Sequence, residues 1–116
     1  MTIRRLKTYT GSQGYVYQYY FVGKRPVPES EAIEYIFDVT SDRKLTYAVS
    51  IVLPHQVVAA WCESHERSLS DSEQYAAVKM RLFRAFDEVQ DLLAQGRQLQ
   101  IDTKTLEESL ASLGVG

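Results

Sequence analysis

The sequence predicts an α+β fold: a four-stranded antiparallel sheet, then two packed α-helices and a short C-terminal strand–helix extension. Three observations carry this. Residues 33–53, IEYIFDVTSDRKLTYAVSIVL, place apolar side chains on alternate positions in two arms around a polar turn at 41–44. Period-2 alternation puts one face of each strand against a core and the other toward water. After Leu53 the apolar spacing changes to threes and fours, the mark of amphipathic helix. Finally, Ser70-Asp71-Ser72-Glu73 matches a capping box ahead of the longest such stripe.

In the hairpin the inward residues are Ile33, Tyr35, Phe37 and Val39, then Leu45, Tyr47, Val49, Ile51 and Leu53. A two-stranded ribbon is marginal in water, so it needs neighbouring strands and a cover of helices. Two further strands precede it, at residues 2–9 and 15–22, joined by a turn with Gly11 and Gly14. The second, YVYQYYFV, has apolar or aromatic residues on both faces apart from Gln18 and predicts a strand inside the sheet or under a partner. Pro26 and Pro28 then hold an extended, solvated connection.

Pro54 suits the first turn of a helix running to about Glu66, with Val57, Val58, Trp61 and His65 on one side. The capping box opens a second helix that reaches about Gln95, with Gly96 as a left-handed cap. Its stripe is Tyr75, Val78, Leu82, Ala85, Phe86, Val89, Leu92 and Leu93. Ala76, Met80 and Phe83 form a second flank that needs the C-terminal segment or a second copy of the chain over it. Leu99 and Ile101 mark a last strand. Asp102 or Thr103 caps a final helix in which Leu106, Leu110 and Leu113 share a face.

The 116 residues suit one domain, with the sheet in 1–53, two helices in 54–95 and the extension in 96–116. An apolar share of 45% and a charged share of 24% are ordinary for a globular protein. One cysteine, Cys62, excludes an internal disulfide, and no apolar run approaches the length that crosses a bilayer. The expectation is a cytoplasmic protein without membrane contact. Net charge is −2, but residues 1–28 carry +5 and the remainder −7. That asymmetry is read as complementarity between neighbouring strands, with an anion-binding face as the alternative.

His55, Cys62 and His65 are the residues with catalytic or metal-ligating chemistry. The histidines are ten residues apart, about 15 Å along a helix, so they do not share a metal there. Cys62 and His65 make two ligands where zinc wants three or four, and a Cys–His nucleophile would need an orienting group and an oxyanion site. P-loop, G-x-S-x-G and G-x-G-x-x-G patterns are absent from the sequence. The reading is therefore of a chain without catalytic residues, cofactor or metal.

Five of the eight tyrosines, Tyr9, Tyr15, Tyr17, Tyr19 and Tyr20, fall within twelve residues. Large amphipathic rings suit protein interfaces. The leading expectation is a non-enzymatic interaction or regulatory module that forms a homodimer, or binds a protein partner, through Tyr15, Tyr17, Tyr19 and Tyr20 or through Met80 and Phe83. The alternative is a single-stranded nucleic-acid-binding module. Gly14, Tyr15, Tyr17 and Tyr20 resemble the aromatic strand motif of the RNA-recognition fold, while Gln13, Val16 and Gln18 depart from it and the order of elements differs. That resemblance implies base stacking on Tyr17 and phosphate contacts from Arg4, Arg5, Lys7, Lys24 and Arg25.

Overall fold

A computed structural model describes residues 6–12, 14–41, 44–89 and 92–115. Strands β1 (Lys7–Thr10), β2 (Val16–Pro26), β3 (Ala32–Thr40) and β4 (Tyr47–Pro54) form an antiparallel meander. Helices α1 (His55–His65), α2 (Asp71–Glu88) and the single turn α3 (Leu92–Gln95) follow. Strand β5 (Gln98–Gln100) then joins the sheet parallel to β4, and α4 (Thr103–Ser112) ends the fold. The sheet order is β1-β2-β3-β4-β5. The α+β class and the four leading strands are as the alternation predicts; the fifth strand enlarges that sheet instead of standing apart. The turn at 41–44 and the first strand as predicted both fall partly outside the described residues, and β1 begins at Lys7.

All the helices lie on one side. Tyr35, Phe37, Val39, Tyr47, Val49, Ile51 and Leu53 share a buried core with Trp61, Val78, Leu82, Phe86, Leu92, Leu106 and Leu110. Leu45, expected inward, lies ahead of β4 and is exposed. In β2 a bulge shifts the register from Phe21↔Phe37 to Gly23↔Ile36, so that Lys24 and Arg25 change faces relative to a regular strand.

Pro54 is not in the first turn of α1. It ends β4 in extended conformation, where a missing N–H is no loss at the end of a ladder, and acts as N-cap. The capping box of α2 is present, Ser70 Oγ accepting from Glu73 N at 3.1 Å and Glu73 accepting from Ser70 N at 3.0 Å. That helix does not run unbroken to Gln95. Val89 adopts φ −96° and ψ 114°, ending α2 at Glu88. A straight stripe would have buried Leu92 and Leu93 together. The break instead seats Leu92 in the core, leaves Leu93 exposed and turns the chain back toward the edge of β4.

Gly96 is not a left-handed cap. Its φ is not positive, and what requires glycine is space: a Cβ there would lie 2.4 Å from Leu92 Cδ1 and 3.3 Å from Val89 Cγ1. Asp102 caps α4, accepting from Thr105 N at 2.7 Å. Leu106 and Leu110 are enclosed against α1 and α2, whereas Leu113 is exposed. The C-terminal extension therefore docks on its own domain. Among the described residues no helix is long and apolar enough to cross a membrane.

Candidate interaction surface

Because every helix packs on one face of the sheet, alternate residues of the same strands have two fates. Tyr17 and Tyr19 point toward α2 and are each only 4% exposed. Tyr17 stacks on Phe86 with centroids 4.3 Å apart, and Tyr19 meets Phe83 and Phe86 edge-on or tilted. These two are corrections to the expected aromatic interface: two helix-borne phenylalanines are large enough to enclose them within one subunit. Tyr15 is exposed, and Tyr20 is half-buried on the opposite, helix-free face.

That open face carries cross-strand polar bonds. Tyr20 OH donates to Asp38 Oδ2 at 2.6 Å. Arg25 Nε donates to Glu34 Oε1 at 2.6 Å, and Ser50 Oγ donates to the other oxygen of the same carboxylate. The Ser50 hydroxyl first, and the Arg25 guanidinium second, hold the Glu34 carboxyl below the usual range. Glu34 thus links β2, β3 and β4. Apolar side chains share this face with polar ones: Val16 is exposed and Ile36 and Val52 are half-buried, beside Thr8, Gln18, Gln98 and Gln100. A shallow depression of about 410 Å³ opens beside Leu6, Gln18, Tyr20, Asp38 and Thr40.

The helix flank is covered in part by the chain itself. Phe83 stacks against Tyr9 at 4.5 Å and 3° between planes. Tyr9 OH is fixed by a 2.8 Å bond to Asp87, which also accepts from Ser12 N at 2.8 Å. Met80 lines a groove of about 500 Å³ between α2 and α4 whose rim carries Arg84, Glu88 and Glu108. Arg84 is bridged to both acids, at 3.2 and 3.6 Å.

Of the residues implied by the nucleic-acid alternative, Arg4 and Arg5 lie outside the described residues. Tyr17 is in the core, so its ring faces do not meet a base. Arg25 is neutralised by Glu34, which is the strand-to-strand complementarity expected from the charge asymmetry. Lys7 and Lys24 remain exposed.

The Cys–His set does not converge. The His65 ring stacks on Trp61 at 4.1 Å, and its Nε2 lies 2.8 Å from both oxygens of Glu107, so it ties α1 to α4. Cys62 packs half-buried against the core, and His55 is exposed at the other end of the helix. Among the described residues no three His, Cys, Asp or Glu side chains are grouped to hold a metal.

Sequence reasoning missed the Glu34–Ser50 and Tyr20–Asp38 bonds, although the signal was present. The alternation that sends Tyr35, Phe37, Val49 and Ile51 inward must send Glu34, Asp38 and Ser50 to one common outer face. Comparison of the chain with protein-family models, curated proteins and solved structures found no match.

Proposed function

We propose that this chain is a small non-enzymatic interaction module that self-associates, two copies meeting through the open faces of their sheets. The observation that supports this reading is the one-sided placement of the helices. It leaves Val16 exposed and Tyr20, Ile36 and Val52 only half-buried, with no helix packed over them among the described residues. Strands of 4, 11, 9, 8 and 3 residues, about 4.8 Å apart at about 3.3 Å per residue, give a footprint on the order of 550 Å². That approaches the ~800 Å² per partner of a standard interface. A face-to-face homodimer uses the same patch twice and needs no further component. The helix flank is the weaker surface, since Tyr9 already occupies Phe83 and the groove rim is charged.

Sedimentation in the micromolar range tests the reading. The expected species has twice the 13.3 kDa chain mass. Ile36→Lys, in the middle of the open face, should return it to the monomer with unchanged circular dichroism. A wild-type chain that stays monomeric throughout that range would sink the proposal.

A further inference from the structure

One carboxylate of the open face stands at the wall of a cavity without a countercharge. Asp38 of β3 lies directly across from Tyr20 of β2, and two positions along the same strands Gln18 lies across from Thr40. All four line the depression of about 410 Å³, together with Leu6 and Thr46. A second hollow of about 200 Å³, walled by Val16 and Ser41, continues it through the shared Gln18 and Thr40. The Tyr20 hydroxyl donates to Asp38 Oδ2 at 2.6 Å and so orients the carboxylate. On its other side Asp38 faces Ala48, whose methyl group offers no donor. Among the described residues Asp38 Oδ1 accepts no hydrogen bond. The ion pairs among those residues engage Glu34, Glu73, Glu88, Glu107 and Glu108, but not Asp38.

Asp38 is half-buried, and a charge partly withdrawn from water carries a desolvation cost that a bound cation offsets. The neighbouring groups select the kind of cation. A divalent metal takes six or more oxygen ligands with several carboxylates among them, and no such group of acids is present among the described residues. An alkylammonium carries three donors, matching the open Asp38 Oδ1, the Gln18 amide oxygen and the Thr46 hydroxyl on the wall of one depression. Its methylenes suit the second hollow, where Val16 is exposed, since amine stems lie along apolar surface. A neutral polyol would leave the carboxylate charge unmatched. We propose that this trough is a binding site for a protonated primary amine borne on a short aliphatic chain. The site goes beyond self-association and does not depend on it: calorimetry reads the first and sedimentation the second.

The amine has two sources, a small free amine or the lysine side chain of a protein partner. Calorimetry of the full-length chain at low salt uses three probes: pentylamine, a peptide blocked at both ends that carries one lysine, and uncharged pentanol. Wild type is compared with Asp38→Asn, Gln18→Leu and the control Glu63→Gln, which alters an exposed acid of α1. Asparagine keeps the shape of Asp38 and an oxygen for Tyr20 while removing the charge. Amine binding should weaken about tenfold in Asp38→Asn and severalfold in Gln18→Leu, and be unchanged in Glu63→Gln. With that pattern, a peptide that binds more tightly than pentylamine assigns the site to a partner's lysine, and one that binds no better assigns it to small amines. Circular dichroism checks each variant, and Gln18→Leu, which leaves the charge in place, carries the test should Asp38→Asn fail to fold. Three results overturn the proposal: absence of binding to either amine, binding that Asp38→Asn and Gln18→Leu leave intact or Glu63→Gln weakens equally, and pentanol binding as tightly as pentylamine.

Discussion

The two faces of the sheet are made from the same strands, one residue out of step, yet they are stabilised in different ways. On the covered face Tyr17, Tyr19, Phe37 and Tyr35 meet Phe86, Phe83 and Tyr75 ring against ring. On the open face Tyr20, Asp38, Arg25, Glu34 and Ser50 are joined by hydrogen bonds and one ion pair. Identical residue types therefore do different work one position apart. Tyr19 is a core ring, and Tyr20 is a hydrogen-bond donor on a wet surface. The contrast shows that an aromatic-rich strand need not be an aromatic surface; what decides is how much apolar area the facing helix brings.

That comparison can be broken or sharpened by measurement. Phe86→Ala removes the ring beneath Tyr17 and should lower the unfolding free energy by about 3–5 kcal/mol in urea denaturation. Next come the covered phenols. Burial raises the pKa of Tyr19, Tyr35 and Tyr75 above the usual 10.0, and burial together with Asp87 does so for Tyr9. Above pH about 10 the unfolded chain releases protons that the folded chain retains, so stability falls as pH rises through that value. Phenolate absorbance should therefore appear at higher pH in the native than in the denatured protein.

On the open face the expected effects are smaller. Glu34→Gln weakens two bonds to a charged acceptor and should destabilise by about 1–2 kcal/mol. Since the folded pKa of Glu34 is depressed, its contribution is present above the ordinary carboxylate range and lost as pH falls through the folded value. The variant should show a correspondingly shallower loss of thermal stability on the acid side. Ala48→Thr, at an exposed position opposite Asp38, should change stability by no more than about 0.5 kcal/mol. Comparable losses for Phe86→Ala and Ala48→Thr would abolish the distinction between the faces.

Much of the fold was legible because it follows from local chemistry. The alternation of residues 33–53 gave the hairpin and its inward face, and Ser70 with Glu73 marked the start of α2. What was not legible depended on contacts between distant segments. The break at Val89 and the packing role of Gly96 both follow from seating Leu92 in the core, a demand no local propensity records. The candidate surface was half legible: Tyr20 was singled out with Tyr17 and Tyr19, but nothing within β2 tells which of these rings Phe83 and Phe86 would cover.

By itself the sequence determined the periodicities, the N-caps at Ser70 and Asp102 and hence the class of fold, because each depends on residues within a few positions of one another. The tertiary structure alone decided which face of the sheet was enclosed, that β5 would pair with β4 and that Glu34 would join Arg25 and Ser50 across three strands. Those outcomes depend on the volumes and charges of side chains far apart along the chain, which meet only when the layers close.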